Sequence, residues 1–187
     1  MRKTAISLAV AAFLMTSAFH LYAASLAGVT LPDTIQVGPA TLVLNGMGLR
    51  TKFMVKVYVA GLYLAQKSSD PDAILRPDAP KRMVMHFVRG VSKSEMVDAF
   101  DKWFTDNAPD ARKTMKNDID RLLEALEPVK DGDEMVFTYV PASGMTLAIN
   151  GREKLAVAGP AFARLIFSVW LGPKPPNVDL KKGLLGQ

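Results

Sequence analysis

Apolar side chains fall along this chain in two different periods, and the change between them divides it into segments. Residues 41–44 (TLVL) form a short β-prone run that ends in the turn-rich Asn45-Gly-Met-Gly48. Residues 54–64 (MVKVYVAGLYL) give the strongest strand signal. Their near-continuous apolarity places them centrally in a sheet, and Gly61 within them predicts a bulge or a close backbone approach. Residues 70–80 hold three Pro and three Asp and read as a surface loop, and residues 82–89 (RMVMHFVR) read as another strand.

Beyond Ser92 the period becomes helical. Ser92 and Glu95 have the spacing of a capping box, in which each satisfies a backbone N–H that the first helical turn leaves unpaired. Met96, Val97, Phe100, Trp103 and Phe104 then form one apolar face, ended by Asn107-Ala-Pro109. Asp110 opens a second helix with Met115, Ile119, Leu122, Leu123 and Leu126 on one side, closed by Pro128 and Asp131-Gly-Asp133. Strand character returns over residues 134–140 and 145–149, joined by a hairpin loop at 141–144. Asn150-Gly151 predicts a type I′ turn into a strand over 153–157. Gly159-Pro160 starts another helix, with Phe162, Leu165, Ile166, Val169 and Trp170 on its apolar side and Leu171-Gly-Pro173 as its stop; residues 179–185 predict a short terminal helix. Strands and helices are segregated rather than alternating, the signature of an α+β fold with an antiparallel sheet.

The first residues follow a different logic. A basic head (Arg2, Lys3), an uncharged apolar stretch over 4–19 and small residues at Ala23-Ala-Ser25 and Ala27 are the order of a secretory signal peptide. Residues 1–27 are therefore expected to be a leader, cleaved between Ala23 and Gly28, and 28–187 a single domain that is periplasmic or secreted. The apolar stretch is shorter than the ~20 residues a spanning helix needs, and no second one follows, so no membrane span is expected after processing. The whole chain of 187 residues carries +5; loss of Arg2 and Lys3 leaves +3, too little for a nucleic-acid-binding domain. With 49% apolar residues the chain is not of a disordered class. Cysteine is absent and only His20 and His86 are present, so neither a metal centre nor a cofactor is expected.

Candidate chemistry gathers around residues 45–63. On one straight strand Arg50 and Tyr58 would lie about 26 Å apart at ~3.3 Å per residue. If the chain turns near Lys52-Phe53 they sit on adjacent antiparallel strands, where a guanidinium and a phenol can converge on a carboxylate. The alternative leaves Arg50 capping a surface turn and Tyr58 as amphipathic core. Gly46-x-Gly48 lacks the third glycine and the βαβ setting of a phosphate cradle. His86 reads as a structural strand histidine. Asp98, Asp101, Asp118, Asp120 and Glu124 read as solvated helix faces. The methionines suit either an adaptable apolar cavity or ordinary core filling.

Gly46-Met-Gly-Leu-Arg50 followed by Lys56-Val-Tyr-Val-Ala-Gly-Leu-Tyr63 resembles the chalcone isomerase-like family, and so do Gly159-Pro-Ala-Phe162, Val169-Trp-Leu-Gly-Pro-Lys-Pro175 and residues 179–186. The chain is most similar to the family's exported bacterial branch. The resemblance implies an open-faced antiparallel β-sandwich with a helical layer and a ligand cleft between sheet and helices. In the fatty-acid-binding branch an arginine and a tyrosine on these segments hold a carboxylate, which Arg50 and Tyr58 match. The isomerases carry threonine at the position of Tyr58, a tyrosine on the first middle helix and a hydroxyl on the last one. Residues 92–107 contain no tyrosine, and the region of Phe162-Ala163 offers no hydroxyl. The resemblance therefore implies a binding protein for a small amphipathic molecule, a fatty acid or similar carboxylate, with Arg50, Tyr58 and in reserve Tyr63 as ligand-binding residues and none catalytic. Its rivals are an intramolecular lyase acting on a flavonoid-like phenol, and an envelope scaffold without a ligand.

Overall fold

A computed structural model of the chain describes residues 23–76 and 78–187. Residues 1–22 of the expected leader, its basic head and apolar stretch included, lie outside the described residues.

Strands β1 (Ala23–Leu26) and β2 (Val29–Pro32) form an antiparallel hairpin over Ala27-Gly28, both of which have positive φ. Seven further strands make one antiparallel sheet: β3 (Thr34–Val37), β4 (Ala40–Lys52), β5 (Val55–Leu64), β6 (Lys81–Phe87), β7 (Glu134–Val140), β8 (Gly144–Ile149) and β9 (Arg152–Val157). They lie side by side in chain order, so each strand pairs with the next one in sequence. Helix α1 (Pro71–Leu75) follows β5; α2 (Lys93–Asn107), α3 (Pro109–Thr114) and α4 (Lys116–Ala125) separate β6 from β7; α5 (Pro160–Leu171) and α6 (Val178–Leu184) end the chain. This is the α+β, open-faced antiparallel arrangement with a helical layer.

The two faces of the sheet are covered differently. One buries Tyr58, Ala60, Leu62, Met83, Met85, Phe137 and Leu147 under the helices, together with Phe104, Ile119, Ile166 and Trp170. The other buries Leu42, Leu44, Val59 and Tyr63 under Val29 and Leu31 of the β1–β2 hairpin.

Several sequence expectations are corrected. Asn45-Gly-Met-Gly48 is no turn: β4 runs through it to Lys52, with an irregularity between Leu44 and Gly46. The glycines serve the last helix instead. A Cβ on Gly46 would sit 2.1 Å from the Gly183 carbonyl oxygen, and one on Gly48 2.3 Å from that of Leu180. The backbones of β4 and α6 therefore touch, which only glycine permits. Asn45 seals the contact, donating to the carbonyls of Leu184 (2.8 Å) and Ser68 (2.9 Å). Gly61 is neither a bulge nor a close backbone approach: the register runs through it unshifted, and a Cβ there would meet a side-chain atom, Leu31 Cδ1, at 2.3 Å. The stretch after Asp110 is two helices, broken at Met115, and the loop over 70–80 contains α1 with Asp70 as its N-cap. Apart from these corrections, β1 occupies Ala23–Leu26, within the last residues of the expected leader.

The capping box is formed: Glu95 N donates to Ser92 Oγ (3.2 Å) and Ser92 N to Glu95 Oε2 (2.9 Å). It fixes the start of α2, the helix that faces the sheet across the cleft.

Candidate functional site

The β4–β5 hairpin turns at Phe53-Met54, and its register sets Arg50 directly opposite Tyr58. Opposed side chains on one face of an antiparallel pair have Cβ atoms ~4.5–5.5 Å apart. A register shift beyond Arg50 matches it with Tyr58 while Thr51 pairs with Lys56. Residues 46, 48 and 50 alternate along the helix-covered face of β4: two glycines seat α6, and the next inward side chain is the guanidinium.

Arg50 is half-buried. Its Nη1 donates to the Thr51 carbonyl and to Asn177 Oδ1 (2.7 Å); Asn177 also accepts from Thr51 N (3.1 Å) and stands at the residue before α6 without a side-chain bond to that helix. Nε and Nη2 meet no protein acceptor among the described residues. Tyr58 is only 7% exposed, and its hydroxyl accepts a hydrogen bond from Trp170 Nε1 (2.9 Å). With the indole N–H on its oxygen, the phenol is free to turn its own proton elsewhere. Burial pushes Tyr58 up to about 12, against the opposing pull of Trp170 and the Arg50 charge. It is therefore a neutral donor throughout the physiological range, neither a base nor an anion.

Both residues line a cleft of about 740 Å3 between sheet and helices, within the ~300–1,000 Å3 usual for small-molecule sites. Its floor is Val57, Tyr58, Met85 and Phe87; its roof is Met96, Phe100 and Trp103 of α2 with Val169 and Trp170 of α5. The helical layer, pressed onto β4 at the α6 end, stands off here on large rings. Trp170 packs edge-on to Phe100 (6.1 Å, 77°) and tilted to Phe137 (5.5 Å), and Tyr58 packs edge-on to Phe87 (5.6 Å). Trp103 Nε1 donates to the Lys174 carbonyl (2.9 Å), tying α2 to the segment that links α5 and α6.

Charge gathers on the rim. Arg50, Lys52, Arg89, Lys102 and Lys174 line the cleft against two acids, Glu95 and Asp106. Both acids are occupied. Glu95 is held below its usual range chiefly by the Ser92 backbone N–H, and Asp106 accepts from Lys102 Nζ (2.7 Å). The site is thus a cationic rim on an apolar interior, suited to an anion with a hydrophobic tail. Among the described residues that line it there is no Ser, Thr, His or Cys, and no group of side chains could hold a metal ion.

The reserve candidate Tyr63 is corrected. Five residues from Tyr58, it points through the other face of β5, where its hydroxyl donates to the Pro32 carbonyl (2.8 Å) beneath the β1–β2 hairpin. His86 lies on that face too, 3.4 Å from Glu134 Oε1. Sequence reasoning missed Asn177, Trp170, Arg89 and Lys174 as site residues. Trp170 was legible only as part of an apolar helix face, and nothing local marks an asparagine 127 residues from its arginine. Of the methionines, Met85 and Met96 line the cleft, whereas Met83, Met135 and Met145 are plain core.

A family model described as chalcone isomerase-like matches residues 23–186. No curated protein matches the sequence significantly. Among solved structures, the fold is similar to the crystal structure of a fatty-acid binding protein from Arabidopsis thaliana, with a TM-score of 0.66 and 16% identity, covering 88% of this chain and 96% of that one. At that identity the likeness is one of fold.

Proposed function

The chain belongs to the chalcone isomerase-like family, and on that footing we propose that its cleft binds a small amphipathic carboxylate, a fatty acid in the first place, and releases it unchanged. The observation that carries this reading is the cross-strand pair Arg50–Tyr58, where the cationic rim of the cleft meets its apolar floor. Arg50 offers Nε and Nη2 to the carboxylate while Asn177 fixes the guanidinium through Nη1. Tyr58 adds a neutral hydrogen bond from a proton that Trp170 cannot accept. The hydrocarbon tail runs between the sheet floor and α2, where water leaves apolar surface at ~25 cal/mol per Å2.

Absence of conversion is supported by the lining. Tyr58 holds its proton to about 12, and Glu95 and Asp106 are engaged by Ser92 and Lys102. The one hydroxyl on α5, Ser168, donates to the Leu165 carbonyl (2.6 Å) within its own helix.

Calorimetric titration of palmitate tests the reading. Truncating one partner of a desolvated charge pair costs ~2–5 kcal/mol, so Arg50→Ala should weaken binding at least about thirtyfold at ~1.4 kcal/mol per decade. Arg50→Lys should recover part of it, because the charge stays and the planar fork is lost. Equal affinity in wild type and Arg50→Ala contradicts the carboxylate clamp.

We further propose export, from the basic head, apolar stretch and small residues before Gly28. Processing at the start of the 23–28 window leaves β1 in place to pair with β2. The intact mass of the protein recovered from its cells tests this: retention of Met1 contradicts it.

A further inference from the structure

The tip of the β4–β5 hairpin is unlike the rest of the surface. Phe53 is 89% exposed and Met54 98%, with Val55 half exposed beside them. Three consecutive large apolar side chains in water are uncommon, and here they are flanked by Lys52 and Lys56. Both tip residues have positive φ, +50° and +65°, a two-residue turn that Asn-Gly adopts at least cost. Phe and Met therefore occupy positions where neither local conformation nor packing favours them.

We propose that this tip docks the protein on an anionic phospholipid surface, inserting Phe53 and Met54 at the level of the headgroups. Two tip side chains fall far short of the roughly 800 Å2 per partner of a standard protein–protein interface, but an apolar point ringed by cations suits a bilayer. The charge complementarity extends past the tip: Arg89 and Lys174 share the cleft rim with Lys52, so lipid phosphates meet several cations at once. Lys52, Phe53 and Val55 also line the cleft, so docking brings the cleft mouth to the membrane, where an amphipathic carboxylate partitions. The passage of ligand between bilayer and cleft rests on the binding reading above; the docking itself does not.

Co-sedimentation with vesicles tests docking without added ligand. The protein should pellet with vesicles of phosphatidylcholine and phosphatidylglycerol, and at least tenfold less with phosphatidylcholine alone. Phe53→Asn combined with Met54→Gly should lose vesicle binding at least tenfold while melting at the same temperature or higher, since the new residues favour the turn. Lys52→Ala with Lys56→Ala should weaken binding to the anionic vesicles at least tenfold, and so should added salt. Failure of the wild-type protein to bind anionic vesicles, or equal binding by the Phe53/Met54 variant, would overturn the proposal. So would a dimer in sedimentation velocity that this variant dissolves, which assigns the tip to a second copy. Palmitate titration of wild type and Arg50→Ala without vesicles uses proteins with an intact tip, so failure of docking and failure of the binding reading are distinguishable.

Discussion

Tyr58 and Tyr63 stand five residues apart on one strand, both buried and both pushed up to about 12 with burial as the largest cause. They do opposite things. Tyr63 donates to a backbone carbonyl under a hairpin that closes over it. Tyr58 accepts from a tryptophan across a cleft and keeps its proton for something else. Strand parity sends the two phenols to different faces, and the covering decides their use: a two-stranded hairpin lies flush on one face, whereas helices carrying large rings stand off the other.

The two phenols share one consequence with Tyr139, which burial also pushes up to about 12, and it is the largest effect expected. Unfolded tyrosines release protons near pH 10 and the folded ones hold them to about 12. Between those values the unfolded state binds fewer protons, so stability falls as pH rises, by up to about 1.4 kcal/mol per pH unit per tyrosine. Denaturant midpoints measured from pH 9 to 12 check this, and bound palmitate should change the contribution of Tyr58 alone. A flat profile would mean that none of the three phenols is buried as described.

Glycine substitutions separate the faces next. Gly48→Ala forces a Cβ against the Leu180 carbonyl at 2.3 Å, backbone that cannot yield, and should cost about 3 kcal/mol, the upper end of overpacking. Gly61→Ala meets Leu31 Cδ1 at the same 2.3 Å, but that is the end of a side chain that can rotate, and should cost about 1 kcal/mol. Thermal melts of both variants decide; equal losses would show the hairpin face to be as rigid as the α6 seat.

The smallest effects divide most cleanly. Tyr63→Phe removes one hydrogen bond from the closed face and should cost about 1 kcal/mol of stability with palmitate affinity unchanged. Tyr58→Phe should weaken palmitate about fivefold, the worth of a neutral hydrogen bond at about 1 kcal/mol. A binding defect in Tyr63→Phe would break the comparison.

Much of this was legible in the sequence, and what was not has a physical reason. The central strand, the capping box, the Asn150-Gly151 turn and the helix after Pro160 are local patterns, and each stands where the period placed it, within a few residues. The role of Gly46 and Gly48 was not legible, because it depends on a helix some 130 positions later in the chain. Close approach and turn leave the same glycine-rich trace. Strands β1 to β3 are four residues each, too short for period-two alternation to emerge. For the site, the turn near Lys52-Phe53 sufficed to pair Arg50 with Tyr58. Counting parity along β5 would have set Tyr63 aside. Asn177 and Lys174 arrive through the α5–α6 link, and no local pattern could have placed them.

Native mass spectrometry of the protein purified from its own cells tests most directly whether Arg50 holds an anion in the cleft. Wild type and Tyr63→Phe should each carry an adduct with the mass of an intact long-chain carboxylic acid, and Arg50→Ala should fly without it. Adduct-free wild-type protein, or the same adduct retained on Arg50→Ala, would contradict the account.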